Sequence, residues 1–400
     1  MMNKLSLQDL PLQNKRVLMR VDLNVPLRPD GSIADDARIV ASLTSIQYIL
    51  NQGASLVLMS HLGRPKGKKD PNLSLQVVAD RLSELLGQPV LMAEDCVGPA
   101  VEELSAGLEP QQVLLLENLR FHPEEEHPEQ DPSFAAKLAK LGDLFVNDAF
   151  GTAHRKHAST YEVPQLFRGK SATGFLVDKE IAFLGNVFKN PKRPFFAIIG
   201  GSKISSKLGL IHNLLDKVDG LFIGGGMAYT FLKAGGQRTG TSIVEEDQME
   251  NAKEIVKICA AKAVQLWLPS DLYIADAFSA DAKHEVIGTK DAIPDDWQGM
   301  AIGPKTCADW QEALANAQTI FWNGPLGVFE FPAFADTTFE MARFLSKSPA
   351  TTIVGGGDSI SAIRQLHLEE RFTHISTGGG ASLEYIEFGH LPSIDILTDR

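Results

Sequence analysis

Residues 194–226 read PFFAIIGGSKISSKLGLIHNLLDKVDGLFIGGG. An apolar run of strand length, Phe195–Gly200, breaks at Gly200-Gly201. A helical stretch follows, and a second apolar run, Leu221–Gly224, ends in Gly225-Gly226. Parallel strands need a crossover of a dozen or more residues, usually a helix, so this stretch is a βα unit of a parallel sheet.

The same alternation extends in both directions. Predicted strands before it are Arg16–Val21, Ser55–Ser60, Gln112–Leu116 and Leu144–Asn147. Those after it are Val264–Leu268, Thr319–Trp322, Thr351–Gly355 and Phe372–Ser376. Asp35–Leu50 illustrates the intervening helices: Asp35 or Asp36 caps the start, Ile39, Leu43, Ile46 and Leu50 recur at helical spacing, and Gly53 follows. A helix over Val177–Asn190, closed by Pro191, separates the two sets of strands and marks the domain junction. The expected fold is α/β, with two doubly wound parallel-sheet (Rossmann-like) domains joined by an interdomain helix and hinge. The domains fall at 1–176 and 177–386, the second including the helix 177–190.

The composition belongs to a globular enzyme-sized chain: 400 residues, 44% hydrophobic and 22% charged. Cys96, Cys259 and Cys307 are odd in number and far apart, so they give neither a disulfide framework nor a metal cluster. The start has no signal-peptide core, and no run reaches the ~18 apolar residues of a membrane span. A cytoplasmic protein is expected, with no membrane partner. A net charge of −12 opposes nonspecific nucleic-acid binding, so any anionic ligand must meet local positive charge.

Ligands of open α/β sheets bind beyond the carboxyl ends of the strands, so the residues after each apolar run carry the chemistry. In the first half these are Asp22 and Asn24, His61-Leu62-Gly63-Arg64, Asn118-Leu119-Arg120 and the run ending in Arg155. Guanidinium forks match phosphate and carboxylate oxygens, so Arg38, Arg64, Arg120 and Arg155 together can clamp a small multiply charged anion. Asp22 and Asn24 are placed to hold its hydroxyl. A lone arginine is more often a surface ion pair, but arginines at successive strand ends are a pattern.

In the second half the strand ends deliver glycines: Gly200-Gly201, Gly224-Gly225-Gly226, Asn323-Gly324, Gly355-Gly356-Gly357 and Gly378-Gly379-Gly380. Any one is more often a tight turn, but glycine also admits a ligand close to backbone, and helix-start amides receive phosphates. Lys203 and Lys207, four apart on a predicted helix, place two ammonium groups on one face near its positive end. Like charges there call for an anion. Asp358, beside Ser359, is a hard oxygen ligand suited to nucleotide-bound Mg²⁺, or an ordinary N-cap. Neither Gly-x-x-x-x-Gly-Lys-Ser/Thr nor a strand-end Gly-x-Gly-x-x-Gly occurs, which weighs against P-loop and dinucleotide families. His122 and His127 flank Glu124–Glu126 at a spacing that suits no standard metal site, and the stretch reads as a solvated loop.

In order, the segments RVDLNVP (20–26), HLGRP (61–65), LENLRF (116–121), VNDAFGTAHRKH (146–157), GGSKISSK (200–207), NGPLGVFE (323–330), GGGDS (355–359) and STGGGASL (376–383) closely resemble the signature segments of the phosphoglycerate kinase family. The resemblance spans nearly the whole chain. It implies a reversible Mg²⁺-dependent phosphoryl transfer from 1,3-bisphosphoglycerate to ADP, giving 3-phosphoglycerate and ATP, in glycolysis, gluconeogenesis or carbon fixation. It implies that Asp22, Asn24, Arg38, His61, Leu62, Gly63, Arg64, Arg120 and Arg155 bind the triose acid. Nucleotide contacts fall by the same resemblance on Lys207, Gly225, Gly226, Gly299, Asn323, Glu330, Gly356, Gly357, Asp358 and Ser359. Asp358 carries the Mg²⁺, and Gly378, Gly379 and Gly380 form a helix-terminus phosphate and hinge element. The tail 387–400 is implied to return to the first domain, and the family's usual state is a monomer. Leu23 stands where an aromatic is usual, Ser202 replaces a frequent alanine, and Glu387-Phe388-Gly389-His390 departs from a Glu-Gly-Lys wording.

The acceptor is a carboxylate already ionised at neutral pH, so no general base is required. Catalysis then rests on alignment and charge neutralisation by Arg38, Lys203 and Lys207. An acyl phosphate hydrolyses readily, so water must be excluded, and hinge closure is expected. A nonenzymatic two-domain binding protein would not need Lys203, Lys207 and Asp358. A nicotinamide-dependent oxidoreductase would need the missing fingerprint.

Overall fold

The structure, a computed structural model, describes residues 4–400. The chain forms two compact units, one running to Gly185 and completed by Phe388–Arg400, the other comprising Asn186–Glu387.

The first unit is built on a six-stranded sheet: β1 (Arg16–Val21), β2 (Ser55–Met59), β3 (Val90–Met92), β4 (Val113–Leu115), β5 (Leu144–Asp148) and β6 (Ser171–Thr173), in the order β3-β4-β2-β1-β5-β6. All its pairings are parallel. β2, β4 and β5 are buried throughout, which is why Leu56–Met59, Val113–Leu115 and Leu144–Val146 read as continuous apolar stretches rather than alternating ones. β3 and β6 escaped the sequence reading because they are three-residue edge strands. Ser171–Thr173 is polar, yet its hydroxyls are satisfied by Thr398 Oγ1 (2.9 Å) and the Leu5 carbonyl (3.2 Å). Helix α1 (Ala37–Asn51) lies where expected. Asp35 accepts the Ala37 amide proton at 2.8 Å, and Asp36 instead takes the Arg81 guanidinium at 2.8 Å.

Helix α2 (Phe175–Lys189) carries the boundary between the units inside itself, after Gly185, rather than belonging wholly to the second. Ring packing gives the reason: Phe175 meets Tyr48 edge-on at 5.1 Å, whereas Phe188 meets Phe195 at 5.6 Å and Phe321 at 5.3 Å. Each end of the helix is thus seated in a different core.

The start of α2 is tied to β5 by Asp148, whose Oδ1 accepts the amides of Leu176 (2.9 Å) and Val177 (3.2 Å). Asp148 is fully buried, and burial pushes its carboxyl up to about 6 against those hydrogen bonds. The native state therefore holds a proton the unfolded chain has lost. That favours folding at acid pH, and the advantage disappears as pH rises from 3.8 to about 6. The Asp148→Asn variant should lose this component, on the order of 3 kcal/mol. Urea midpoints measured across that window should show a shallower decline in the variant than in the wild type; parallel curves would refute the assignment.

The second unit contains β7 (Phe195–Ile199), β8 (Gly220–Ile223), β9 (Gln265–Trp267), β10 (Asp271–Ala275), β11 (His284–Gly288), β12 (Gln298–Ile302), β13 (Thr319–Asn323), β14 (Thr351–Gly355) and β15 (His374–Ile375). A parallel six-stranded sheet runs β15-β14-β13-β7-β8-β9. A separate antiparallel sheet, β11-β10-β12, was not anticipated. β11 is exposed or half-exposed along its length, so it lacks the apolar run that betrays a buried strand. Helices α3 (Leu208–Leu214), α4 (Met227–Ala234), α5 (Gly357–Gln365) and α6 (Gly380–Phe388) follow β7, β8, β14 and β15. Among the described residues no helix is long and apolar enough to cross a membrane.

Candidate active site

In the first sheet the chain works outward from β1 through β2 and then resumes on the other side at β5, so the strand order reverses between β1 and β5. Such a switch point splays the adjoining loops and opens a crevice at the carboxyl ends. Asp22 and Asn24 leave β1 there, and the run to Arg155 leaves β5.

The basic residues gather around that point, held by a polar scaffold. Arg38 Nη1 donates to Asp22 Oδ2 at 2.7 Å and keeps 37% of its side chain exposed. Asn24 Oδ1 accepts the Gly63 amide proton at 2.8 Å, where Gly63 adopts φ +62°. The Gly63 carbonyl accepts from Arg120 Nη1 at 3.0 Å. Asn118 accepts the amide protons of Leu62 (3.2 Å) and Arg120 (3.1 Å) and donates to the Leu62 carbonyl at 2.7 Å. Asn24 thus braces the His61–Arg64 turn through its Oδ1. Leu62, also expected at the ligand, is a buried core side chain, and only its backbone takes part. Arg64 is exposed.

Beneath these groups lies a buried layer the sequence reading missed. Arg20 is 1% exposed, donates to Ser159 Oγ at 2.8 Å and to the Val21 carbonyl, and approaches His61 Nδ1 at 3.2 Å. Glu125, read as part of a solvated acidic loop, is 0% exposed and accepts from Ser159 through both its amide (2.9 Å) and hydroxyl (2.6 Å). The loop is in fact two short 3-10 turns, Leu119–Phe121 and Pro123–Glu125. His122 is not a solvated flank either: its Nε2 lies 2.6 Å from Asp95 and its ring stacks on Phe134.

Electrostatics follows from burial beside fixed cations. Burial, then Arg20, Arg120 and Arg38, hold the His61 pKa well below its usual value. His154 is lowered to about 4 by burial and Arg155, and His157 to about 3 by burial and then Arg120. These imidazoles are neutral at physiological pH, so the basin's charge comes from its arginines.

In the second sheet the order reverses between β7 and β13. There the loops Gly200-Gly201 and Gly324-Pro325 interlock: Gly201 N donates to the Pro325 carbonyl at 3.0 Å, and Gly200 N to the Asn323 carbonyl at 2.8 Å. A Cβ on Gly200 would lie 2.2 Å from the Pro325 oxygen, and one on Gly225 2.7 Å from the Gly201 nitrogen. These glycines admit each other's backbones. Gly299 is likewise filled by a neighbour, since its Cβ position lies 2.1 Å from the ring of Tyr229. Around Gly357 and Gly379, by contrast, nothing lies within 4 Å of the Cβ position. Gly226 is intermediate, with Ile243 Cγ2 at 2.9 Å.

Lys203 and Lys207 do not share a helix face. Lys203 lies exposed in the loop, and Lys207 ends a 3-10 turn (Ser205–Lys207) leading into α3. Lys207 Nζ donates to Asn323 Oδ1; burial lowers its pKa, and Asp358 opposes that shift. Asp358 is exposed in the first turn of α5, whose N-cap is Gly356 at φ +89°, so Asp358 is not the N-cap. Ser359 Oγ accepts the Gly324 amide proton at 2.7 Å. Glu330 is exposed. Gly378 closes a turn onto Ala381 at 3.0 Å as α6 begins at Gly380.

Two parallel sheets carry chemistry at their carboxyl ends, guanidinium groups in one unit and lysines with a carboxylate in the other, a set suited to phosphoryl groups. Comparison with known proteins narrows that reading. Residues 7–388 match the family model described as Phosphoglycerate kinase. A phosphoglycerate kinase from Moorella thermoacetica is 53% identical over 399 residues, covering 100% of both chains, and one from Chloroherpeton thalassium is 50% identical over 401 with the same coverage. The solved structure of phosphoglycerate kinase from Coxiella burnetii superposes with a TM-score of 0.85 at 41% identity, over 98% of each chain. The chain belongs to the phosphoglycerate kinase family.

Proposed function

We propose that this chain catalyses the reversible transfer of a phosphoryl group from 1,3-bisphosphoglycerate to ADP, with Mg²⁺ on the nucleotide, and does so in the cytoplasm. The observation that carries the reading is the basin at the β1/β5 switch point, where Arg38, Arg120 and Arg155 converge among neutral histidines. Fixed cations at a strand-end crevice suit a small acid bearing both a phosphate and a carboxyl group. In this reading Asp22, Asn24, His61, Gly63, Arg64, Arg120 and Arg155 hold the triose acid, Asn24 and Gly63 as the brace that sets the arginines. Arg38, oriented by Asp22, neutralises charge on the transferring oxygens.

The nucleotide is assigned to the second unit. Gly356, Gly357 and Ser359 at the start of α5 offer amides with open space above Gly357, where a helix N-terminus favours phosphate. Lys207 and Lys203 supply positive charge, and Glu330 is assigned to the ribose. Gly225, Gly226, Gly299 and Asn323 shape the surrounding backbone, and Gly378, Gly379 and Gly380 give a second helix start. Asp358 is an exposed hard-oxygen donor in the same turn, which fits a Mg²⁺ ligand. When bound, the ion neutralises phosphate charge. No proton need be removed from the acceptor carboxylate, so these residues bind, orient and stabilise charge without a general base.

A coupled assay tests the proposal directly. ATP consumption should depend on 3-phosphoglycerate and disappear with a divalent-metal chelator. Nucleotide turnover that ignores 3-phosphoglycerate, or that persists in excess chelator, would overturn it.

A further inference from the structure

The segment leaving β4 places one residue where the ligand is expected. Asn118 pins the backbone at Arg120, and Glu125 is locked to Ser159. Glu126 follows as the C-cap of the second 3-10 turn, and its side chain reaches back across the basin. Its Oε1 lies 3.1 Å from Arg120 Nη2 and 3.9 Å from Arg155 Nη1. A single carboxylate oxygen is therefore shared by guanidinium groups delivered from the ends of two different strands, β4 and β5.

The pairing answers a local need. Arg120 is 5% exposed in its side chain, loses stability of its charged form to burial, and is further opposed by Arg155 and Arg64. Glu126 opposes both effects. Unlike Glu125, it remains 31% exposed, and no hydrogen bond beyond the arginine pairing fixes its carboxylate among the described contacts. It can swing outward without breaking the scaffold. Removing a carboxylate from beside a buried arginine leaves its charge less compensated unless another anion replaces it.

We propose that Glu126 is a built-in competing anion: it occupies the Arg120–Arg155 pair when the basin is empty, and an incoming anionic ligand must displace it. This inference rests on the assignment of the basin to the triose acid. A singly anchored anion such as orthophosphate gains little beyond what Glu126 already supplies. A ligand that also reaches Arg38 and Arg64 has further contacts with which to win. Glu126 thereby lowers the affinity of every anion for the Arg120–Arg155 pair by a similar factor, and a multiply anchored ligand has affinity to spare.

The test is calorimetry on the full chain with 3-phosphoglycerate and with inorganic phosphate. Glu126→Gln, which keeps shape and removes charge, should tighten both by roughly three- to tenfold. Glu126→Ala should do the same, and Glu129→Gln, whose carboxylate pairs only with His127 among the described contacts, should change neither. Unchanged or weakened binding in both Glu126 variants, with unaltered melting temperature, would overturn the inference and make Glu126 a support for Arg120. Arg120→Ala separates this outcome from failure of the site itself. If that variant binds 3-phosphoglycerate normally, the basin is not the triose-acid site; if it loses binding while Glu126→Gln gains none, only the competitor role falls.

Discussion

The Arg38→Ala enzyme should turn over about 10³-fold more slowly than the wild type, with its unfolding midpoint nearly unchanged. The size follows from what the side chain does. Phosphoryl transfer spreads negative charge over the equatorial oxygens, and a preoriented guanidinium lowers that barrier without reorganising. A factor of 10³ corresponds to about 4 kcal/mol of transition-state stabilisation. Arg38 is suited to this role because Asp22 fixes one end of its fork at 2.7 Å while over a third of the side chain stays accessible. As a half-exposed residue near the start of α1, it contributes little to packing, so stability should be spared. Arg38→Lys should rescue poorly, since an ammonium cannot reproduce a planar fork. Steady-state kinetics at saturating 3-phosphoglycerate and ATP decides the matter, and near-normal kcat in the alanine variant would remove Arg38 from the chemistry.

Gly324→Ala should cost the second unit about 3 kcal/mol or more, whereas Gly357→Ala should be tolerated. Both glycines sit in strand-end segments assigned to the nucleotide, so the contrast isolates the role of backbone interlock. Gly324 has φ +97°, and a Cβ there would lie 2.3 Å from the Gly200 oxygen and 2.4 Å from its carbonyl carbon. Those are backbone atoms at the end of a central strand, which cannot rotate away as a side chain would. Nothing lies within 4 Å of the Cβ position at Gly357. Urea unfolding of the two variants should therefore separate widely. Equal midpoints would show that the Gly200–Gly324 contact carries no weight.

How much was legible in the sequence depended on what each residue faces. β2, β7 and β13 were readable because both faces of their sheets are covered, leaving continuous apolar runs that end at marked residues. β11 was not, because its side chains face water and its pairing with β10 is made by backbone. The glycines were legible as special positions but not in their reason: Gly200, Gly225 and Gly324 serve one another, while Gly357 leaves open space, and that difference exists only in three dimensions. Charge was the least transparent. Glu124, Glu125 and Glu126 are identical in type and adjacent, yet Glu125 is wholly buried against Ser159 while Glu126 spans two arginines. The 3-10 turns that aim them apart have no periodic signature. Arg20 was hidden in the same way, as a buried charge inside the strand that begins at Arg16.

The first unit is completed by Phe388–Arg400, with Leu5 N donating to the Thr398 carbonyl at 2.9 Å and Ser393 N to the Ala153 carbonyl at 3.1 Å. The second unit is a single uninterrupted stretch, Asn186–Glu387. On the ribosome the usual order of domain completion is amino-terminal first. Here the half begun first gains its last backbone partners only after the half made second has been synthesised, because the segment that supplies them follows it in the chain.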